Sequence, residues 1–162
     1  MDRDLSDMER ILFVCHGNIC RSPMAEFIMK KMVRDAGRGD EFEIDSAATS
    51  CEEIGNDIYP PAKDTLKKHG IPFAGRHARR ITQEDYGTYD RIFIMDRNNL
   101  NWLRRRFPAD AKVQMLMSLA GEDRDVADPW YTGDFEATYD DICRALRAFL
   151  EADTVEKDAG RH

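Results

Sequence analysis

Short apolar runs alternate along the chain with longer stretches in which apolar residues recur at helical spacing. Runs rich in β-branched and aromatic residues at 11–14, 42–44, 91–95 and 113–117 predict four strands. Strands that alternate with helices in this way are typical of parallel sheets, in which crossover helices cover both faces. The pattern therefore predicts an α/β domain with a doubly wound parallel sheet.

Helices are predicted between and after these strands. The first ends at Gly37, a short one runs from Pro60 to Gly70, another ends before Pro108, and Asp134 caps the last. The apolar positions of the three longer stripes are Ala25, Ile28, Met29, Met32, Val33 and Ala36; Leu100, Leu103 and Phe107; and Phe135, Tyr139, Ile142, Leu146 and Phe149.

The length of 162 residues predicts one domain, which we place at residues 10–150. The charged residues 1–9 are expected to be a flexible segment, and the polar, unstriped residues 151–162 a disordered tail. The opening segment lacks the apolar region of a signal peptide, and no run approaches the ~18 apolar residues of a membrane span. We therefore expect a cytoplasmic protein, as a monomer or weak dimer.

The net charge argues against two kinds of partner, and the spacing of cysteines and histidines argues against a metal site. The net charge of −7 argues against nucleic acid or an anionic membrane as the main partner. The four cysteines form no C-x-x-C pair, and no histidine cluster has metal-ligand spacing, so no metal site is predicted.

The stretch that follows the first strand has the features of an anion-binding loop. The apolar run stops at Cys15, and Gly17 and Asn18 both tolerate a positive φ, so the chain can curl tightly. Ser22 and Pro23 then suit the N-cap and first position of a helix. Converging N–H groups at a helix N-terminus favour a tetrahedral anion.

Two side chains give this loop its candidate chemistry. Nearby N–H dipoles and a cation stabilise a cysteine thiolate, which is the nucleophilic form, so Cys15 is a candidate nucleophile. Arg21 lies six positions later and can hold two phosphate oxygens at once. The Ser22 hydroxyl can donate a hydrogen bond to the sulfur when the sulfur leaves.

Residues 14–23 read V-C-H-G-N-I-C-R-S-P, and this stretch resembles the signature of the low-molecular-weight protein tyrosine phosphatase family, V-C-x-G-N-x-C-R-S-P. The resemblance continues at residues 44–46, 68–71, 95–96 and 128–129, and so covers roughly residues 10–150. It implies a four-stranded sheet in the order 2-1-3-4, with the ligand outside the carboxyl ends of the strands.

The resemblance also implies the reaction and its residues. It implies hydrolysis of phosphotyrosine in proteins and of small aryl phosphates, with Cys15 as nucleophile, Arg21 as phosphate clamp and Asp128 as proton donor. Inorganic phosphate and vanadate would compete with the substrate, and no cofactor is implied. Substrate contacts are implied for His16, Gly17, Asn18, Ile19, Cys20, Ser22, Trp130 and Tyr131. The Asp128-Pro129 pair also suits general-acid work on residue grounds, because proline holds the preceding residue extended.

Two further roles are implied behind and beside the nucleophile. Ser46 would hydrogen-bond the loop from behind, and Cys20 would trap an oxidised Cys15 as a disulfide, which would make the protein redox-sensitive. Two positions depart from the family pattern. Residues 51–53 lack the aromatic that often lines the cleft, and Arg76-His77 reverses the expected histidine-arginine order, so we assign His77 no role.

Three alternative functions use the same loop. An arsenate reductase needs further cysteines, and none lies between Cys51 and Cys143. Protein-arginine phosphatases of the family tend to carry threonine where this chain has Ile19. A non-catalytic phosphocarrier or phosphate-binding module would need to preserve a phosphocysteine, whereas Arg21 and Asp128 together favour its hydrolysis.

Overall fold

The computed structural model describes residues 8–160 and contains one four-stranded sheet. The strands are β1 (Glu9–Cys15), β2 (Phe42–Ala48), β3 (Arg91–Ile94) and β4 (Val113–Met115). All neighbours are parallel, and the order is β2-β1-β3-β4, which confirms the predicted fold. Because Cys15 pairs with Ala48 and Val14 with Ile94, the carboxyl ends of the three strands meet at one edge.

Within the described residues, six α-helices connect and cover the strands. They are α1 (Arg21–Asp35), α2 (Pro60–Lys68), α3 (Gln83–Thr88), α4 (Arg97–Arg106), α5 (Pro129–Thr132) and α6 (Phe135–Ala159). Short 3₁₀ helices precede β2 at Gly39–Glu41 and follow β4 at Leu116–Ala120. The sequence pattern missed α3, whose signal is the capping box of Thr82 and Asp85 rather than an apolar stripe. Within residues 8–160, no helix has the length and apolar character that a membrane crossing requires.

Both faces of the sheet are buried, as a doubly wound fold requires. Ile11 and Phe13 of β1 join a core with residues of α1 and α6, including Ile28 and Leu146. Leu12 and Val14 point to the other face. There they join Ile92, Ile94, Tyr86 and Leu103, which come from β3, α3 and α4. β1 is therefore a central strand, paired with β2 and β3 and buried on both faces, and its carboxyl end at Cys15 is buried as well.

The predicted disordered tail is wrong for residues 151–159, because α6 continues to Ala159. The last turns are held by charge pairs rather than by an apolar stripe, which is why the pattern missed them. Asp153 is buried and pairs with Arg38, and Lys157 contacts Glu41 at 2.7 Å and Asp153 at 3.1 Å. At the other end, the flexible segment predicted for residues 1–9 is wrong for Glu9, which belongs to β1, and its residues 1–7 lie outside the described residues.

Candidate active site

The loop between β1 and α1 curls around the sulfur of Cys15. Asn18 has a φ of 59°, the left-handed conformation that the sequence predicted for this loop. Gly17 does not adopt a positive φ. It permits a close approach instead, since a Cβ there would lie 3.3 Å from the Glu53 side chain and would require that side chain to shift. The two predicted loop formers therefore act for different physical reasons.

Three donors converge on the Cys15 sulfur. The N–H groups of Asn18 and Ser22 lie 3.3 and 3.4 Å from Sγ, and the Ser22 hydroxyl lies 3.0 Å away. The prediction of Ser22 as N-cap is wrong, because α1 begins at Arg21 and its N-cap is Cys20, without a side-chain cap. The Ser22 side chain faces the sulfur instead. This arrangement stabilises negative charge on the sulfur.

Arg21 is buried, and its guanidinium is held by partners from two distant loops. Nη1 donates to Asp96 and to the carbonyl oxygen of Val126, both at 2.8 Å, and Nη2 lies 3.4 Å from Asp128. Burial opposes the charge, but the charges of Cys15, Asp96 and Asp128 prevail and raise the pKa of Arg21. Arg21 is thus a fixed cation between the sulfur and two carboxylates.

Asp128 is positioned by the first turn of α5. It is the N-cap residue, and its Oδ1 accepts the N–H of Trp130 at 3.0 Å, while Oδ2 faces Arg21. Pro129 occupies the first helical turn and leaves Asp128 extended, with a ψ of 113°. A carboxyl group is therefore held on a rigid turn beside the candidate nucleophile.

The sequence matches a known family along almost all of its described length. The sequence model of the low molecular weight phosphotyrosine protein phosphatases matches residues 10–160. The human low molecular weight phosphotyrosine protein phosphatase is 43% identical over 148 residues, which cover 87% of this chain and 93% of the relative. The chain belongs to the low molecular weight phosphotyrosine protein phosphatase family.

Solved structures agree with this membership. The crystal structure of YfkJ from Bacillus subtilis matches with a TM-score of 0.88 and 34% identity, covering 93% of this chain and 97% of that one. The crystal structure of a drosophila arginine phosphatase matches with a TM-score of 0.80 and 34% identity, covering 88% of this chain and 96% of that one.

In this family member, a hydrogen-bonded chain of buried side chains, which ends at the partly exposed Lys30, supports the loop from behind. The Asn18 amide donates to the Ser22 hydroxyl at 2.8 Å and to the Ser46 hydroxyl at 2.9 Å. Ser46 donates in turn to Glu26 at 2.6 Å, and Lys30 donates to the other carboxylate oxygen at 2.6 Å. The structure thus places Ser46 where the resemblance implied, directly behind Asn18.

Arg76 also contacts Asn18, which the sequence analysis missed. Its Nη2 donates to the Asn18 carbonyl oxygen at 2.5 Å and to the side-chain oxygen. Burial lowers the pKa of Arg76, and its Nη1 is buried without a partner among the described residues. His77 is exposed, and its Nδ1 lies 2.9 Å from the Gly55 carbonyl oxygen, away from Asn18. Because the order of arginine and histidine is reversed in this chain, the arginine contacts the loop and the histidine does not.

The pocket above Cys15 has one acidic and one aromatic wall. Of the loop residues predicted to contact the substrate, all except the buried Asn18 and Ser22 line this pocket. Glu52, Glu53, Trp130 and Tyr131 complete the lining together with Asp128. Trp130 packs on Tyr59 with ring centroids 4.7 Å apart, whereas Tyr131 is 85% exposed. The stretch that lacks an aromatic thus contributes two carboxylates to the entrance.

Cys20 lies at the base of this pocket as a buried free thiol. Burial, followed by the charges of Cys15 and Asp128, raises the pKa of Cys20. Its thiol form is therefore the resting state at neutral pH. Among residues 8–160, no group of three or more histidine, cysteine or acidic side chains is placed to hold a metal ion.

Proposed function

We infer that this chain hydrolyses phosphotyrosine in proteins, and small aryl phosphates, through a cysteinyl-phosphate intermediate. The observation that carries the inference is the set of contacts around Cys15. Its sulfur faces three donors within 3.4 Å, and Arg21, which is fixed by Asp96, links the loop to Asp128. Nucleophile, anion clamp and acid therefore converge on one small pocket.

In the proposed first step, the Cys15 sulfur forms a bond to phosphorus as the bond to the phenolic oxygen breaks. Asp128 gives its proton to that oxygen, so a neutral phenol leaves. Arg21 and the loop N–H groups hold the equatorial oxygens, and the guanidinium is already held by Asp96 and Val126, so little reorganisation is needed.

In the proposed second step, water attacks the cysteinyl phosphate and the phosphorus–sulfur bond breaks. Asp128 now accepts a proton from the water, and the Ser22 hydroxyl, 3.0 Å from the sulfur, stabilises the thiolate that leaves. Phosphate is released, and the site returns to its starting state.

The test is steady-state phosphate release from p-nitrophenyl phosphate and a phosphotyrosyl peptide. We expect Cys15→Ser to abolish turnover while retaining weak vanadate binding, because the anion-binding loop survives. Cys143→Ser, at a buried cysteine of α6, is the matched control and should remain active. Near-normal turnover by Cys15→Ser would refute the covalent mechanism.

The similarity to an arginine phosphatase supports one alternative, hydrolysis of phosphoarginine. Ile19 disfavours it, because this side chain packs with Cys20 and Ala78 and offers the pocket only carbon atoms, whereas threonine would offer a hydroxyl. Parallel assays with phosphoarginine distinguish the two. Faster release from phosphoarginine than from phosphotyrosine would establish the alternative.

We further propose that Cys20 protects Cys15 from irreversible oxidation. Peroxide would convert the Cys15 thiolate to a sulfenic acid, and the Cys20 sulfur would then displace water to form a disulfide. Both cysteines line the same small pocket, which supports this proposal.

A further inference from the structure

A second, larger cleft opens directly beside the pocket above Cys15. Its volume is about 1020 Å³, compared with about 150 Å³ for the pocket itself. The two share four lining residues, namely His16, Arg21, Asp128 and Tyr131, so they form one continuous surface. Because the small pocket contains Cys15, the phosphotyrosine ring belongs there, and the larger cleft is left for the peptide that carries it.

One wall of the larger cleft is a polar stripe of α4. Asn98, Asn101, Arg104 and Arg105 line the cleft, at the i, i+3, i+6 and i+7 spacing of one helix face. All four side chains are exposed. None of them makes a hydrogen bond or ion pair with another residue of the range 8–160 that the structure describes.

The charges of the cleft are separated along its length. Its inner end holds Asp96 and Asp128, which both face Arg21, and Asp125, which accepts the backbone N–H of Arg97 at 3.0 Å. Asp96 and Asp128 therefore already have a cationic partner, whereas Asp125 has a backbone N–H. The two arginines at the outer end have no ion-pair partner within residues 8–160, in a chain whose net charge is −7. The outer end is thus complementary to negative charge.

We propose that this outer end, formed by Asn101, Arg104 and Arg105, is a binding site for acidic residues that flank the phosphotyrosine of the substrate. The proposal rests on the phosphotyrosine phosphatase activity inferred above. Arg104 lies eight residues along α4 from Asp96, which is about 12 Å at the rise of an α-helix. An extended peptide covers that distance in about four residues. Glutamate or aspartate three to five positions from the phosphotyrosine would reach the arginines.

The test compares kcat/KM for phosphotyrosyl peptides that carry glutamate, glutamine or lysine at these positions, on either side of the phosphotyrosine. We expect the acidic peptides to be about three- to tenfold better substrates than the neutral ones, since exposed ion pairs are individually weak. The preference should shrink as salt is raised. Arg104→Gln/Arg105→Gln should abolish the preference and leave hydrolysis of p-nitrophenyl phosphate unchanged.

A matched control separates this site from a general effect of charge. Arg34→Gln/Arg147→Gln also removes two positive charges, at exposed positions of α1 and α6 that line neither the cleft nor the pocket. This variant should keep the preference for acidic peptides. Because Arg104 and Arg105 also lie in the last turn of α4, where positive charge stabilises a helix, thermal unfolding of each variant is measured alongside.

Two results would overturn the proposal while leaving the activity intact. One is equal kcat/KM for all flanking sequences, and the other is a preference that survives in Arg104→Gln/Arg105→Gln. Loss of the proposed activity is separately visible, because p-nitrophenyl phosphate would then not be hydrolysed. If p-nitrophenyl phosphate is not hydrolysed, the site is tested by the binding of labelled phosphotyrosyl peptides to Cys15→Ser. Equal affinity for acidic and neutral peptides would refute the site.

Discussion

Ser46→Ala tests whether the buried hydrogen-bonded chain behind the loop supports the fold and the nucleophile. The substitution removes two hydrogen bonds, one from the Asn18 amide at 2.9 Å and one to the Glu26 carboxylate at 2.6 Å. All three residues are buried, with exposed fractions of 0, 2 and 5% for Asn18, Ser46 and Glu26. Water therefore cannot replace the lost partner without rearrangement.

The size of the loss follows from these contacts. A neutral hydrogen bond contributes about 0.5–1.5 kcal/mol, and one to a charged group about 1.5–3 kcal/mol. Asn18 keeps Ser22 as a partner and Glu26 keeps Lys30, so neither group is left wholly unsatisfied. We therefore expect Ser46→Ala to lower the free energy of unfolding by about 2–4 kcal/mol.

Urea denaturation followed by circular dichroism measures this loss, and kcat for p-nitrophenyl phosphate reports on the loop. Ser118→Ala is the matched control, because its exposed hydroxyl donates to one backbone carbonyl, that of Met115. It should change stability by less than about 1 kcal/mol. A loss for Ser46→Ala that is no larger than that of Ser118→Ala would refute a supporting role for the buried chain.

Four other perturbations test the remaining features. Arg21→Lys should lower kcat/KM by at least about 10²-fold, because a point charge cannot replace the planar fork, and near-normal kcat/KM would refute bidentate clamping. Asp128→Asn should lower kcat by about 10²–10⁴-fold for phenols of high pKa and by less for p-nitrophenol, whereas equal losses across a leaving-group series would make Asp128 structural. After peroxide and then dithiothreitol, wild type should recover activity and Cys20→Ser should not, and equal recovery would remove the protective role of Cys20. Finally, burial opposes the charge of Glu41, but hydrogen bonds from its arginine and lysine partners prevail and lower its pKa to about 2. Its stabilising contribution is therefore complete above about pH 4.5 and is lost as the pH falls toward 2, so the stability difference between wild type and Glu41→Gln should narrow between pH 6 and pH 3. A difference that stays constant over that range would contradict this linkage.

The features that could be predicted from the sequence are those whose signals are local. The strand ending at Cys15, the left-handed Asn18 and the cap at Asp134 each depend on a few neighbouring residues, and the structure has all three. The parallel sheet followed from the alternation of strands and helices. Its strand order came from the family resemblance, because no local pattern specifies which strands become neighbours.

The features that the sequence analysis missed depend on contacts between distant residues. Asp96 meets Arg21 across 75 positions, and Arg76 meets Asn18 across 58. The position of Asp96 at the carboxyl end of β3 was a usable signal, since such ends collect ligand-binding residues. The last turns of α6 were not predicted for a similar reason, because Arg38, the residue that stabilises them, lies 115 positions from Asp153.

Arg76 also explains how an acidic chain can hold an anion. A histidine behind the loop would lose its charge near neutral pH, whereas an arginine stays protonated even when burial lowers its pKa. Together with Arg21, it places two permanent positive charges next to the loop, in partly buried surroundings where screening is weak. Within residues 8–160 most of the carboxylates are exposed, and those farther from the site than the Debye length of about 8 Å are largely screened. Arg21, Arg76 and the loop N–H groups therefore supply the positive charge nearest the anion site, although Asp96 and Asp128 lie against Arg21 and the chain as a whole is acidic.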